Sequence, residues 1–232
     1  MALVKYGGGI IQMSGSMAGN THARNRYGNY IRARTKPINP QTALQTQIRA
    51  AIQLLTTYWS QTLSDAQRIA WNLYADSVNM KNRLGEVVHL SGFNHFIRSN
   101  VLGQRAGIPI YADGPTTFEL PEADPTFAVA ISEATQLISV TFDDGAAWNI
   151  IDDGHMFIEM GSPQNPQRNF FDGPWRYAGQ IPGDTAVPLT SPQTKACPFA
   201  ATELQRVWCY ARIQMPDGRL SEVFRANTFC AA

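Results

Sequence analysis

The sequence predicts an α+β protein with an extended N-terminal arm, a module of about three helices and a C-terminal antiparallel β-sandwich. Apolar residues recur at three- and four-residue steps through residues 40–107, as in amphipathic helices. Pro and Gly then cluster up to Pro125, and short apolar runs with turn signals follow. The predicted segments are an arm at 1–37, a helical module at 38–107, a linker at 108–125 and a sandwich at 126–232.

Charge is divided unevenly between the two halves of the chain. Residues 1–107 carry 12 Lys and Arg against 3 Asp and Glu, whereas residues 108–232 carry 7 against 15. The overall net charge of +1 therefore conceals a basic half and an acidic half. Such a division indicates contact with something acidic at the basic end, with the acidic half either facing solvent or meeting a basic surface. A second copy that meets the first head to tail is one candidate.

The first 36 residues contain six glycines and no apolar period of 3.6, which predicts an extended arm. In one continuous strand, residues at even positions would all lie on one side, whereas a break at Gly28 would divide them. In the second half of this segment, residues 21–36, two tyrosines, Tyr27 and Tyr30, lie among the cations. The cations of residues 21–36 all occupy even positions and are Arg24, Arg26, Arg32, Arg34 and Lys36.

Three roles for this arm stay open. It could be a tether along a neighbouring protein subunit, with Arg and Tyr as interface anchors. It could bind nucleic acid, because cations contact phosphates and aromatic rings stack on bases. It could also be a solvated tail. The spread of glycines favours the tether, which can drape over an existing surface.

Asn39 and Pro40 predict the start of a first helix over about residues 40–60, since Asn caps helices and Pro fits the first turn. Its predicted apolar face consists of Leu44, Ile48, Ile52, Leu55 and Trp59.

Ser64 and Gln67 match a capping box and predict a second helix. Ile69, Leu73 and Tyr74 are expected on its apolar face, and the short connection predicts that the first two helices are antiparallel neighbours. Ser91 is predicted to cap a third helix that ends near Gly103 or Gly107. This third helix carries Phe93, Phe96, Ile97 and Val101.

Seven short strands are predicted in the C-terminal part, and this number is typical of a two-sheet sandwich. The predicted strands are Phe127–Ile131, Leu137–Phe142, His155–Met160, Trp175–Ala178, Thr185–Leu189, Arg206–Met215 and Glu222–Phe229. Alternation in the sixth places Trp208 and Tyr210 opposite the core face. These aromatic residues could bind a sugar or a protein partner, or they could pack under a loop such as 191–199.

The segment Arg206–Glu222 joins an alternating strand to a turn of the form DGxxS, at Asp217, Gly218 and Ser221. It resembles the last hairpin of fibronectin type III and related immunoglobulin-like domains. The resemblance covers about residues 125–230 and implies an immunoglobulin-like sandwich.

Two N-terminal motifs carry a second resemblance. Asn39–Gln45 has the form NPxTxxQ, and Leu63–Trp71 has the form LTxxQRxAW with Ser64 in place of Thr. Together with a Gly-rich start and a basic arm, they resemble structural proteins associated with bacteriophages. The resemblance implies a role in virion assembly and location in the virion, after assembly in the host cytoplasm. It brings no catalytic residues.

Motifs that carry enzymatic chemistry are missing from the sequence. There is no GxSxG, HExxH, Walker A or GxGxxG pattern, so enzymatic function is disfavoured and no catalytic residue or cofactor is assigned. The runs Asp143–Gly145 and Asp152–Gly154 could ligate calcium, but two polar turns explain them equally and no metal is predicted.

Three cysteines, Cys197, Cys209 and Cys230, are predicted to be reduced, buried thiols, with a Cys209–Cys230 bridge as the alternative. The apolar stretches fall short of the ~20 residues that span a bilayer, so no membrane partner is expected. The N-terminus lacks a signal-peptide pattern, and folding in the cytosol is expected.

The sequence therefore predicts a non-enzymatic structural protein of a bacterial virus. Capsid decoration or stabilisation is favoured, and a connector or tail component is compatible. The expected partners are protein subunits of the capsid or tail, including further copies of this chain. One alternative is a nucleic-acid-binding protein that uses the basic arm. Another is a carbohydrate-binding adhesin that uses Trp208.

Overall fold

A computed structural model describes residues 2–82 and 84–232. Residues 2–33 form a small antiparallel sheet with the strand order β1-β4-β3-β2. Its strands are β1 (Ala2–Leu3), β2 (Gly15–Met17), β3 (Asn20–Asn25) and β4 (Gly28–Ala33). The segment predicted as an extended arm is thus folded into a sheet up to Ala33.

Turn chemistry explains why the basic segment forms a hairpin. The Asn25 side chain accepts a hydrogen bond from the Tyr27 backbone N–H at 2.9 Å, and such a contact closes the chain into a turn. Gly28 follows with φ 119°, a conformation that residues with a Cβ rarely adopt. The chain therefore reverses at Arg26 and Tyr27 and does not continue as one strand.

Three helices follow: α1 (Ala43–Thr57), α2 (Asp65–Ser77) and α3 (Gly92–Ala106). The N-cap of α1 is Thr42 and not Asn39, because Gln41 has φ 47° and interrupts a helical start. The predicted capping box of Ser64 and Gln67 is confirmed at the start of α2. The predicted Ser91 cap of α3 is also confirmed, and α3 ends at Gly107.

The core of the helical part lies on α3, against which both α1 and α2 pack. A π-helical segment, Tyr58–Thr62, continues α1 as far as Leu63. Helices α1 and α2 each pack mainly against α3 and not against each other. The prediction that α1 and α2 are direct antiparallel neighbours is not supported. The core side chains are Leu55, Leu63, Trp71, Tyr74, Val78 and Phe96.

The buried face of α2 differs from the predicted one. Trp71, Tyr74 and Ala75 are buried, whereas Ile69 and Leu73 are 66% and 55% exposed. Both sets have helical spacing, and the large aromatic side chains are the ones that α3 covers. Between α2 and α3, β5 (Met80–Lys81) pairs with β6 (Val87–Val88).

The C-terminal part is one seven-stranded sheet with the order β10-β9-β12-β13-β7-β8-β11. Six of the seven predicted strands are present, but residues 185–189 are irregular and the strand lies at Gln193–Ala196. The Asp184 carboxylate accepts hydrogen bonds from the N–H groups of Ala186 and Val187, which favours a turn. The strands are β7 (Ala128–Ser132), β8 (Leu137–Thr141), β9 (His155–Gly161), β10 (Trp175–Pro182), β11 (Gln193–Ala196), β12 (Arg206–Gln214) and β13 (Phe224–Ala231).

A short parallel pairing between β13 and β7, through Cys230 with Ile131 and Ala231 with Ser132, joins two halves of this sheet. Both halves contribute to one hydrophobic core. From one side come Val129, Ile131, Ile138 and Val140, and from the other Met156, Ile158, Met160, Val207 and Cys209.

A third apolar cluster joins the helices to the sheet. It contains Leu102 of α3, Ile108, Phe157 of β9 and Leu220. Helix α3 therefore packs on β9, and the two parts of the chain share an interface.

Candidate partner-binding surfaces

Strands β3 and β4 place the predicted basic residues on two faces of the N-terminal sheet. The register pairs Thr21 with Arg32 and Arg24 with Asn29. Directly paired residues lie on the same face of a sheet, and successive residues alternate. Arg24 and Arg32 therefore point to opposite faces. Of the two arrangements open from the sequence, the divided one is found.

The five cations of this region are exposed and have no acidic partner. Arg24 donates a hydrogen bond to Gln12 Oε1 at 3.2 Å, and the Arg26 guanidinium lies 5.7 Å from the centroid of the Tyr27 ring. Within the described residues, no carboxylate pairs with either of them or with Arg32, Arg34 or Lys36. Their charge is available to an anionic partner.

The two tyrosines of the hairpin are half-buried. The Tyr27 hydroxyl accepts a hydrogen bond from Asn94 Nδ2 at 3.1 Å, which fixes the hairpin tip to α3. A salt bridge between Lys5 and Glu86 makes a second attachment, and its hydrogen bond lowers the pKa of Glu86. Tyr27 is thus engaged within the chain, whereas the cations beside it are not.

The chain between β4 and α1 is the most exposed part of the protein that carries predicted site residues. Every residue from Arg32 to Gln47 is exposed, and we call residues 32–47 the stem. Arg34 and Lys36 lie in it, as does Ile38, which is 89% exposed. The stem therefore presents cations and an apolar side chain together.

The predicted apolar face of α1 is covered at only one end. Leu55 is fully buried, whereas Leu44 and Ile52 are 49% and 41% exposed. Since α3 covers the C-terminal end of this stripe, its N-terminal half extends the stem as an uncovered apolar surface.

Trp208 and Tyr210 lie on the outward face of β12, but the chain itself covers them. Trp208 is 6% exposed and stacks on Phe171 with ring centroids 5.6 Å apart. The Tyr210 hydroxyl donates a hydrogen bond to Glu159 Oε2 at 2.6 Å, and burial raises the pKa of Tyr210. Of the alternatives left open by the sequence, packing within the chain describes Trp208, because Phe171 stacks on it, and a partner contact of Trp208 and Tyr210 stays a prediction.

The acidic runs of the β-rich part hydrogen-bond to the backbone of turns and loops. Asp143 Oδ1 accepts a hydrogen bond from the Gly145 N–H at 3.0 Å, and Asp152 Oδ1 accepts one from the Thr185 N–H at 2.8 Å. In the parts of the chain that the structure describes, no group of three or more His, Cys, Asp or Glu side chains is arranged to hold a metal ion. Asp143 therefore caps a local turn, whereas Asp152 ties its loop to a segment 33 positions further along the chain.

All three cysteines are free thiols. Cys209 faces Ala226 on β13, so the register does not bring it opposite Cys230. Burial raises the pKa of Cys209 to about 12, and a thiol with such a pKa is a poor nucleophile near neutral pH. The bridge considered as an alternative is not formed.

Sequence reasoning missed a cleft between the linker and the sheet. This linker–sheet cleft has a volume of about 450 Å³ and is lined by linker residues 119–125 together with Trp148 and Met215, among others. Glu119 and Glu122 at its edge are exposed. The acidic residues of the Pro-rich linker can be seen in the sequence and could have indicated a binding surface. The cleft itself forms only because the sheet provides its second wall.

After comparison with known proteins, the function of this chain is inferred from the geometry of its surfaces. No protein-family model matches the chain, and no curated protein matches it. Among the residues that the structure describes, no helix has the length and hydropathy that crossing a bilayer requires.

Proposed function

We propose that this protein is a non-enzymatic structural subunit of a bacterial virus particle, most simply a capsid decoration or stabilising protein. Its stem and α1 anchor it to the assembly, and its C-terminal β-rich part is displayed. The observation that carries this proposal is the stem, which is exposed at every residue and presents Ile38 with three cations. Exposed apolar surface rimmed by charge is characteristic of protein interaction sites.

The strand arrangement supports an immunoglobulin-like type for the displayed part. The parallel junction of β13 and β7 separates three strands, β7-β8-β11, from four, β10-β9-β12-β13. Seven antiparallel strands around one core are typical of immunoglobulin-like sandwiches. The fourth strand, β10, lies with β9, β12 and β13, whereas in constant-type domains it lies with the first, second and fifth strands. The described cysteines form no bridge across this core, which agrees with the members of this architecture that lack the antibody disulfide.

Sedimentation with particles of the virus that carries the gene tests the anchoring role. We expect the wild-type chain to bind capsid or tail particles, and Ile38→Ser/Leu44→Ser to bind them about tenfold more weakly. Ile69→Ser/Leu73→Ser is the matched control, because these apolar residues are also exposed but lie on α2. A wild-type chain that binds no particle at low or moderate salt would contradict the proposal.

Nucleic-acid binding is the second candidate, and the unpaired cations of the N-terminal sheet favour it. It predicts an affinity that falls steeply between about 50 and 200 mM salt and is lost when Arg24, Arg26, Arg32 and Arg34 are replaced by Ala. Fluorescence anisotropy with labelled DNA measures both effects. Arg24 and Arg32 face opposite sides of the sheet, so the cations form no single stripe along one face. The exposed Ile38 of the stem is suited to a protein surface and not to a phosphate backbone, and we favour a protein partner.

A further inference from the structure

The linker–sheet cleft combines an apolar floor with acidic edges. Leu120, Pro121 and Met215 are half-buried and line it. The side chains of Glu119 and Glu122 make no hydrogen bond or ion pair with any described residue. Burial of apolar surface and pairing with these free carboxylates are therefore both available to a ligand that carries cations beside an apolar side chain.

One residue that lines the cleft, Trp148, has a buried indole N–H without a hydrogen-bond acceptor in the described part of the chain. Trp148 lines the cleft and is 2% exposed, and its indole Nε1 has no hydrogen-bond partner among the described residues. Buried N–H groups in proteins are nearly always paired. This donor is enclosed by the fold, so it does not itself bind a docked segment, and the apolar lining and acidic edge of the cleft are the features that a ligand can contact.

The charge of the cleft region is complementary to that of the stem. Residues 106–167 contain ten Asp and Glu and no Lys or Arg, whereas residues 1–64 contain seven Lys and Arg and no Asp or Glu. Arg219 also lines the cleft, but its Nε donates to Asp217 Oδ2 at 2.6 Å, so its charge is already compensated. The edge of the cleft stays negative.

We propose that the linker–sheet cleft of one copy binds the stem of a second copy, head to tail. Ile38 enters the apolar floor, and Arg34 and Lys36 pair with Glu119 and Glu122. The inference rests on the proposed function in that it names the partner of the same stem. Within one chain Ile38 is 89% exposed, so it does not occupy its own cleft.

The stem is suited to docking because it is stiff. Pro37 and Pro40 fix their own φ angles, and each also restricts the preceding residue, Lys36 or Asn39, to extended conformations. A segment that is already extended loses less conformational entropy when it binds. Ile38 therefore stands in a short, rigid stretch between two prolines.

The contact joins two different surfaces, so a pair of copies keeps one free stem and one free cleft. Heterologous contacts of this kind generate rings or open chains and not closed pairs. Repeated addition of subunits along an assembly follows from this geometry.

A charge exchange tests the contact. Glu119→Lys/Glu122→Lys makes the cleft basic, and Arg34→Glu/Lys36→Glu makes the stem acidic. We expect the wild-type chain to self-associate at low salt in sedimentation velocity, and each variant alone to associate about tenfold more weakly. A mixture of the two variants should associate again, because each basic surface then meets an acidic one.

A matched control separates this contact from net charge. Asp76→Lys/Glu203→Lys makes the same charge change at two exposed acids outside the cleft, and it should associate like the wild type. As a second measurement, a mixture of Ile38→Cys and Ala123→Cys chains should yield a disulfide-linked dimer under mild oxidation. Ile38→Cys mixed with Ala200→Cys should not, since Ala200 lies outside the cleft.

The outcomes also separate this inference from the proposed function. A wild-type chain that stays monomeric at low salt, or a variant mixture that fails to associate, overturns the head-to-tail contact. If virus particles bind the wild-type chain although it stays monomeric in solution at low salt, another subunit receives the stem, so the contact is wrong while the anchoring role stands. If particles do not bind the wild-type chain, the proposed function fails.

Discussion

Arg98 of α3 donates a hydrogen bond to the backbone carbonyl of Leu220, with an N–O distance of 2.6 Å. A second hydrogen bond reaches the carbonyl of Ser221 at 2.5 Å. Both carbonyls lie between β12 and β13, so one guanidinium ties the helical part to the sheet. Burial, together with the charge of Arg212, lowers the pKa of Arg98 to about 10, and the side chain stays charged at neutral pH.

Replacement of this residue should weaken the whole fold. In Arg98→Met the two buried carbonyls lose their donors, and we expect the free energy of unfolding to fall by about 2–4 kcal/mol. Arg49→Met, at an exposed position of α1, is the control and should change it by less than about 0.5 kcal/mol. Urea denaturation followed by circular dichroism measures both. Equal midpoints for the two variants would show that Arg98 does not support the interface.

His95 should make the protein sensitive to mild acid. It is fully buried, neither ring nitrogen has a partner among the described residues, and burial together with Arg98 lowers its pKa from 6.5 to about 4. Between these two pH values, His95 binds a proton in the unfolded chain but not in the folded chain. The stability that neutral His95 provides is therefore complete above pH 6.5 and declines as the pH falls towards 4.

The corresponding variant is His95→Leu. Between neutral pH and about pH 4.5, we expect the unfolding free energy of the wild type to fall by about 2 kcal/mol more than that of this variant. Urea titrations at a series of pH values give this difference. His89→Gln, an exposed histidine, should keep the wild-type slope. Parallel slopes for His95→Leu and the wild type would remove His95 as the cause.

Two glycines in similar acidic turns should respond very differently to a methyl group. A Cβ on Gly154 would lie 2.0 Å from the Trp148 carbonyl oxygen, whereas the nearest atom to a Cβ on Gly145 is 3.5 Å away. We expect Gly154→Ala to cost more than about 3 kcal/mol or to prevent folding, and Gly145→Ala to cost less than about 1 kcal/mol. Thermal unfolding and soluble yield test this. A mild effect at Gly154 would contradict the close approach of the two backbones.

The hairpin of β3 and β4 should open when Gly28 gains a side chain. Gly28 has φ 119°, so Gly28→Ala strains the turn by about 1–3 kcal/mol. Hydrogen exchange should then accelerate in residues 20–33 while the helices and the large sheet keep their protection. Gly7→Ala serves as the control, because a Cβ meets open space at both glycines but Gly7 does not have a positive φ. Unchanged exchange in the hairpin would show that the turn tolerates a side chain.

Local signals predicted a large share of the fold. Ser64 and Gln67 form the predicted capping box because both partners lie within one turn of the same helix. Most predicted strands are present, since alternation and turn residues act over a few positions. The candidate site shows the same difference between local and distant contacts. The exposed stem cations lie in one short segment of the sequence. The cleft that could receive them joins residues about 90 positions apart, Glu122 and Met215.

The sequence by itself determined where α2 begins, where the chain changes from helices to strands, and that the basic residues precede the acidic ones. Only the tertiary structure decided that Arg24 and Arg32 lie on opposite faces, that Ile69 and Leu73 stay exposed, and that Trp208 is covered by Phe171. The physical reason is the range of the interactions. Caps, turns and periodicity act between neighbours in the chain, whereas the covering of a face depends on which distant segment packs against it.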